Sequence, residues 1–243
     1  MSRENEIENF NVDKLTSILF FRTQIYSIIR DIFLFEPSRE YLQKLLQHKV
    51  LKMISEAYPE ECLRVSSAEF LRAVKELLDG GDVMLMETWS EYARLFIGPA
   101  PPIVLPYESF HREIGRERRF KGEVWMEVKE WFLDDGFILE DHGVLEDHAG
   151  IEFEYMMLTT IKAGELLKEG DRDAILNVLM RQKKFLEEHL KEWIPKLCTE
   201  IEEKSKSSFY KSFAKFTRDF LEEDLTLLNE LILSLIGGGR NQI

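Results

Sequence analysis

Two histidines stand beside carboxylates in the middle of the chain, in a pattern that could bind a metal ion. His142 follows Asp141, and His148 follows Asp147 six residues later. Imidazole and carboxylate groups are common ligands of divalent metals. Glu152 follows His148 by four residues, which places both side chains on one face of a helix. A metal-dependent hydrolase that uses these Asp-His pairs is therefore one hypothesis.

Other catalytic patterns find little support in the sequence. A di-iron helical bundle requires two Glu-x-x-His motifs, and the chain has one, from Glu108 to His111. Cys62 and Cys198 have no neighbouring histidine that would indicate an activated thiol, and there is no Gly-x-Ser-x-Gly motif. No glycine-rich loop follows a strand pattern, so nucleotide hydrolysis is not indicated. We predict no cofactor from these residues.

The composition limits the class of protein. The chain has 243 residues, 44% hydrophobic and 32% charged, and the 45 acidic residues exceed the 32 basic ones by 13. This excess of negative charge argues against nucleic-acid binding and favours a cationic partner. Two distant cysteines do not form a disulfide framework. We find neither a signal peptide nor a membrane span, and predict a cytoplasmic protein.

The elements that must position these residues are helices. Apolar residues recur at three- and four-residue spacing along most of the chain, and no alternating strand pattern competes with them. The predicted helix boundaries, in order, are Asn11 or Asp13 to Pro37, Ser38 to Tyr58, Ser66 to Gly80, Asp82 to Gly98, Gly122 to Asp134, Asp147 to Gly170, Asp171 to Cys198 with a kink or break at Pro195, and Ser208 to Ile236.

The fold class that follows is an all-α bundle of about eight to ten helices. Four of the seven prolines lie between Gly98 and Pro106, which predicts a rigid extended loop. A second loop is expected from Gly136 to Glu146. We treat residues 1–243 as one domain, and a division near residues 98–109 or 136–146 stays open.

Two segments together resemble a known family. The first, Tyr92 to Pro99 followed by Pro106-Tyr107-Glu108-Ser109, and the second, Asp147 to Met156, are similar to signatures of the TorD/DmsD/NarJ family of redox-enzyme maturation chaperones. The stretch from Arg22 to Pro37 is similar to the opening helix of that family. One departure is visible, because Val144-Leu145-Glu146 replaces the proline usually found shortly before Asp-His.

The resemblance implies a TorD-like helical chaperone rather than an enzyme. Members bind the catalytic subunit of a molybdopterin oxidoreductase, often through its twin-arginine leader, and assist cofactor insertion and assembly before export. Such a leader needs carboxylates beside an apolar groove. The predicted peptide-binding residues are Tyr92, Phe96, Pro106, Tyr107, Glu108, Ser109, Asp147, His148 and Glu152.

Each of these residues also has a purely structural interpretation. Tyr92 and Phe96 could pack in the core, Asp147 could cap its helix, and His148 could bond a loop carbonyl. If the His148 imidazole titrates at its ordinary pKa, near ~6.5, it would make peptide binding depend on pH.

Several alternatives stay open at this point. One is a helical scaffold that binds another protein through an apolar stripe on the last helix: Leu225, Leu228, Leu231, Ile232 and Leu235. Weak binding of guanine nucleotide or molybdopterin also stays open, as do a monomer and a domain-swapped dimer. The sequence does not identify the client.

Overall fold

A computed structural model describes residues 3–98, 102–112, 121–139 and 143–237, with side chains from Val12 onward. Within these ranges there is no β-strand, only an isolated antiparallel bridge between Tyr107 and His148. The helices are α1 (Arg3–Leu34), α2 (Arg39–Leu46), α3 (Lys49–Ala57), α4 (Glu61–Asp79), α5 (Gly81–Tyr92), α6 (Glu108–Arg112), α7 (Glu123–Asp134), α8 (Ala149–Glu169), α9 (Arg172–Phe185), α10 (Lys191–Lys204) and α11 (Ser208–Gly237). The prediction of an all-α bundle is confirmed.

Two π-helical turns interrupt the helical period. One, Ala93–Ile97, extends α5 towards Gly98, and the other, Leu186–Leu190, joins α9 to α10 in one continuous helix. Counted this way, the described residues form ten helices. A π turn inserts an extra residue and so changes which side chains face inward, and such turns are frequent at functional sites.

The core lies between the long helices. α1 packs along α8, while α11 lies against α4, α9 and α10. Apart from Arg22, the largest fully buried side chains are aromatic, and they include Tyr26, Phe33, Phe70, Phe153, Tyr155, Phe185, Trp193, Tyr210 and Phe213. Burial of such rings supplies most of the apolar area that stabilises a helical bundle. In the described part of the chain, no helix is long and apolar enough to cross a membrane.

One glycine allows a close contact between α1 and α8. A Cβ atom at Gly150 would lie 2.5 Å from Leu34 Cγ and 3.3 Å from the Arg30 carbonyl oxygen. The first turn of α8 therefore approaches the end of α1 more closely than a larger residue would allow. This contact fixes the position of the residues that immediately precede α8.

Several helix boundaries differ from the prediction. α1 begins at Arg3, so neither Asn11 nor Asp13 caps it. Ser38 does cap α2, since its side chain accepts from the Tyr41 amide. The expected capping box at Ser66 is wrong, because α4 begins at Glu61 and Ser66 is an interior residue whose hydroxyl donates to the Leu63 carbonyl. The preceding segment, predicted from Ser38 to Tyr58, ends before Pro59 as expected but is divided into α2 and α3.

The last two predicted helices also need correction at one point. The expected break at Pro195 is wrong, and α10 continues beyond Cys198 to Lys204. The change of helical period takes place before Pro195, in the π turn, and Leu197, Cys198 and Ile201 are buried further on. The burial of these apolar side chains outweighs the hydrogen bond that proline cannot donate.

The apolar stripe of α11 is part of the core. Leu228 and Leu231 are fully buried, Ile232 and Leu235 are 7% exposed, and Leu225 is partly buried against the same core. The hypothesis of a scaffold that binds a partner through this stripe is therefore wrong, because the stripe is already covered by the other helices.

Candidate functional site

A cleft of about 400 Å³ opens where four segments meet: the end of α1, the π turn after α5, the loop before α6, and the residues that precede α8. Five of the nine predicted site residues line it: Tyr92, Phe96, Pro106, Tyr107 and His148. The other lining residues are Phe33, Leu34, Ile97, Pro102, Leu105 and Val144. Among the described residues that line the cleft, none carries a carboxylate, an ammonium or a guanidinium group. The cleft is therefore uncharged and lined mainly by apolar and aromatic side chains.

Tyr92 and Phe96 form the inner wall of the cleft. The Tyr92 hydroxyl donates to the Phe33 carbonyl at 3.0 Å, and the Phe96 ring meets the rings of Phe33 and Tyr92 edge to face. In the π turn, the Gly98 amide donates to the Ala93 carbonyl at 2.6 Å. Gly98 has a φ of 68°, a left-handed conformation that favours glycine. Both aromatic residues pack in the core and still present an edge to the cleft.

A short backbone latch forms another wall. We use this name for residues 106–109 together with residues 147–149, which exchange hydrogen bonds. The Glu108 amide donates to the Asp147 carbonyl and the Ala149 amide donates to the Pro106 carbonyl, each at 2.9 Å. The Ser109 amide donates to Asp147 Oδ2 at 3.2 Å. The latch joins the two segments whose sequences carry the family resemblance.

His148, not Asp147, caps α8. The Gly150 amide donates to His148 Nδ1 at 3.1 Å, because His148 is the residue directly before the first helical position. The expectation that Asp147 caps this helix is wrong, since its carboxylate reaches the first turn of α6 instead.

His148 is also buried, with 5% of its surface exposed, and it does not titrate near neutral pH. Burial lowers the pKa of His148 to about 3, so the imidazole is neutral, with Nδ1 as its acceptor. The expected titration near ~6.5 is therefore wrong for this residue.

Beneath the cleft lies a cluster of three carboxyl groups, Glu108, Asp147 and Glu152, all without exposed surface. Arg112 Nη1 donates to Glu108 Oε1 at 2.6 Å, and Trp193 Nε1 donates to Glu152 Oε2 at 3.0 Å. His189 Nδ1 lies 3.0 Å from Glu108 Oε2. The predicted carboxylates are thus brought together, but they bind side chains of the protein rather than line the cleft.

Burial changes the acidity of this carboxyl cluster. It raises the pKa of Asp147 to about 6, against the opposing effect of its hydrogen bond from Ser109. It also raises the pKa of Glu152 well above its ordinary value, and the neighbouring Glu108 carboxylate adds to this effect. In the described residues, Asp147 Oδ1 and Glu152 Oε1 are buried and receive no hydrogen bond of ordinary geometry. A carboxyl group in such a place favours its neutral form.

An exposed carboxylate, Glu36, lies two residues beyond Leu34 of the cleft lining. Glu36 follows the end of α1 and acts electrostatically on Tyr92, whose pKa rises to about 12, chiefly through burial. It is not among the predicted site residues. The rim of the cleft carries exposed apolar surface, since Ile97 is 59% exposed. A ligand with an apolar part and a cationic part would meet both features here.

The loop that departs from the family pattern is held by Glu146. Trp125 Nε1 donates to Glu146 Oε2 at 2.6 Å, and Lys129 Nζ lies 3.2 Å from Glu146 Oε1. The His148 amide donates to the Leu145 carbonyl, which closes a turn without the usual proline. Val144 lines the cleft from this loop.

The described residues do not form a set of metal ligands of the kind that the hydrolase hypothesis requires. Asp141 and His142 lie outside them. Asp147 and His148 accept hydrogen bonds from backbone amides, as described above. Over the ranges that the structure describes, no group of three or more His, Cys, Asp or Glu side chains could hold a metal ion.

Comparison with known proteins gives the family. The model of the family described as "Nitrate reductase delta subunit" matches residues 60–199, more than half of the chain. The chain belongs to this family. The match spans both segments of the latch, and the resemblance to the TorD/DmsD/NarJ chaperones is confirmed.

Curated relatives of this family member are named "Chaperone protein TorD". The protein from Vibrio vulnificus (strain YJ016) is 26% identical over 195 residues, which cover 80% of this chain and 88% of that one. The protein from Vibrio cholerae serotype O1 (strain M66-2) is 24% identical over 213 residues, covering 87% and 93%. These alignments extend over nearly the whole length of both relatives.

Among the site residues that were not predicted from the sequence, two lie on the continuous helix formed by α9 and α10. His189, on the second π turn, and Trp193 contact Glu108 and Glu152. They are four residues apart, which places them on one helix face. Their partners are 81 and 41 residues away in the sequence, so no local spacing connects them.

Proposed function

We propose that this protein is a cytoplasmic chaperone of a molybdopterin oxidoreductase. It binds the catalytic subunit through a twin-arginine leader or an adjacent segment, and holds it while cofactor is inserted and before export. It acts by stoichiometric binding, without turnover. Membership of the family and the relatives named as chaperones support this role.

The observation that carries the proposal is the composition of the cleft. Residues of both signatures line one apolar site of about 400 Å³, a volume in the range of known ligand pockets. The apolar stretch of a leader would fill it with a few side chains. Its arginines would pair with carboxylates at the rim, of which Glu36 is the first candidate, and the net charge of −13 favours their approach.

This arrangement changes the role expected of the three predicted carboxylates. Glu108 already pairs with Arg112 and His189, and Glu152 with Trp193. We propose that they support the wall of the cleft and that the leader arginines contact the rim instead. Ser109 acts with them, because its amide holds Asp147 in the latch.

The test is calorimetric titration with twin-arginine leader peptides of molybdoenzymes from the source organism, each beside a Lys-Lys version. We expect saturable one-to-one binding of one Arg-Arg peptide. The Lys-Lys peptide should bind about tenfold more weakly, because lysine cannot make two parallel hydrogen bonds to a carboxylate. Absence of binding to every leader would reject the leader as the ligand.

Variants locate the site. Ile97→Ser removes an exposed apolar side chain from the cleft, and we expect about tenfold weaker binding. Ile138→Ser is the matched control, since Ile138 is 83% exposed and does not line the cleft. Glu36→Gln should reduce the difference between Arg-Arg and Lys-Lys peptides. Equal affinities in all three variants would place the site elsewhere.

A further inference from the structure

The latch connects the wall of the cleft to the buried carboxyl cluster. Pro106, Tyr107 and His148 line the cleft, while the neighbouring Glu108 and Asp147 turn inward. Three hydrogen bonds described above join the two halves of the latch: two between backbone groups and one from the Ser109 amide to the Asp147 carboxylate. A change in the charge of Asp147 therefore acts directly on a wall of the cleft.

Among the described residues, the donors around the carboxyl cluster are too few for three ionised carboxylates. Arg112 supplies one permanent positive charge, and it lies on Glu108. Asp147 Oδ1 and Glu152 Oε1 are buried and receive no hydrogen bond of ordinary geometry within the described residues. An ionised carboxylate with a bare buried oxygen is strongly destabilised, whereas a carboxylic acid carries its own O–H donor. The closed latch therefore favours the neutral forms of Asp147 and Glu152.

Titratable and polar groups of several elements face Asp147. From the loop and α6 it is faced by Tyr107, Glu108 and Ser109, and from its own side by His148 and Glu152. Behind Glu108 and Glu152 lie Arg112, His189 and Trp193. Glu146, next in sequence, is bound to Trp125 and Lys129 on α7.

We propose that the carboxyl cluster makes the latch proton-linked: protonation of Asp147 holds the latch closed, and its ionisation favours separation of residues 106–109 from α8. In an open latch the Asp147 carboxyl group would reach water and move away from Glu108 and Glu152, which stabilises its charged form. Protons and opening therefore compete. Raising the pH from 5 to 7.5 spans the titration of Asp147, whose pKa is about 6 when the latch is closed.

The consequence for binding rests on the proposed function. A client that must part the wall of the cleft would bind more readily near neutral pH than at mildly acidic pH. The latch itself is a property of the protein alone. Its behaviour can be measured without any client, so failure of the leader titration and failure of the latch are separate results.

The experiment measures hydrogen exchange of the latch amides in the full chain, with NMR detection, at pH values from 5.0 to 7.5. The reporters are the amides of Glu108 and Ala149, which bond across the latch, and amides of α11 report global unfolding. After correction for intrinsic exchange rates, we expect protection of the two reporters to be about tenfold greater at pH 5.0 than at pH 7.5. Protection of the α11 amides should exceed that of the latch at every pH.

The matched variants separate the carboxyl group from general stability. Asp147→Asn keeps the shape but cannot ionise, and we expect it to hold the protection of the reporters within about threefold across the range. Asp135→Asn removes a carboxylate that binds Tyr155 and Arg181, outside the carboxyl cluster, and should leave the tenfold dependence intact. If protection of the reporters in the wild type does not change with pH, the proposal is overturned. The same holds if Asp147→Asn keeps the tenfold pH dependence of the wild type.

A direct titration needs no variant. The side-chain carboxyl carbon of Asp147 reports its own ionisation by carbon NMR in the wild-type protein. We expect a midpoint near pH 6. A midpoint below about 4.5, close to that of an ordinary aspartate, would overturn the latch even if Asp147→Asn failed to fold.

Discussion

At the scale of single residues, His148 links the cleft to the stability of the fold. It accepts the Gly150 amide at the start of α8 while its ring lies 5.0 Å from the ring of Tyr107 in the cleft wall. A histidine that is neutral in the folded state must gain a proton on unfolding in acid. Stability is therefore lost as the pH falls below the unfolded pKa, the opposite direction from Asp147.

His148→Asn tests this effect. With a folded pKa of about 3 and an unfolded pKa of ~6.5, His148 should reduce the free energy of unfolding by about 2 kcal/mol between pH 7.5 and 5.0. Asparagine is a good cap residue and does not titrate, so the variant should lose about 2 kcal/mol less over this range. Urea denaturation at both pH values measures the difference. Equal losses in the two proteins would contradict a neutral, buried His148.

The signatures predicted many of these residues, but not their exposure. Tyr92, Phe96, Pro106, Tyr107 and His148 line the cleft as a group because they lie in or beside two loops that the fold brings together. The burial of Glu108 and Glu152 depends on His189 and Trp193 of a distant helix. Sequence spacing reveals neighbours on one helix, whereas contacts between helices follow from packing.

At the scale of elements, the junction of α1 and α8 sets the position of the latch. Helical periodicity predicted both helices, because a three-to-four-residue apolar pattern is a strong signal. It did not predict their close contact at Gly150, since a glycine there could equally have been a surface residue. The capping-box spacing at Ser66 failed for a related reason: a short polar motif recurs by chance within a helix that burial extends.

Two glycines of α8 offer a matched test of this contact. At Gly150 a methyl group would collide with Leu34 and crowd the Arg30 carbonyl, so Gly150→Ala should lower the free energy of unfolding by about 1–2 kcal/mol. At Gly164 nothing lies within 4 Å of the added atom, and Gly164→Ala should raise it by about 0.5–1 kcal/mol. Chemical denaturation measures both. Stabilisation by both substitutions would show that Leu34 moves aside without cost.

At the scale of the whole molecule, a buried ion pair joins the two ends of the chain. Arg22 of α1 donates to Asp224 of α11 twice, at 2.6 and 3.1 Å, and Tyr26 donates to the same carboxylate at 2.5 Å. Gln182 of α9 accepts from Arg22 and donates to Thr160 of α8. Four helices thus meet in one polar network without exposed surface. The stretch of α1 that resembles the opening helix of the family contains Arg22 and Tyr26. Both side chains bind Asp224.

Breaking this network should be far more damaging than breaking a surface pair on the same helix. Asp224→Ala leaves the Arg22 guanidinium buried without its counter-charge, and we expect a loss of about 3–5 kcal/mol in the free energy of unfolding. Glu230→Ala removes the exposed pair with Lys14, 3.2 Å apart, and should cost less than about 1 kcal/mol.

The double variant Arg22→Met, Asp224→Leu separates the charge from the loss of volume. An apolar pair removes both buried charges together but leaves the Tyr26 hydroxyl and Gln182 Oε1 without these partners. We therefore expect the double variant to be less stable than the wild type and clearly more stable than Asp224→Ala, as measured by urea denaturation at pH 7. If Asp224→Ala and Glu230→Ala cost the same, or the double variant is as unstable as Asp224→Ala, the isolated charge is not what makes the network indispensable. The expected order, wild type above the double variant and both clearly above Asp224→Ala, would show that the two ends of the chain are joined by a pair whose members tolerate joint replacement better than separation.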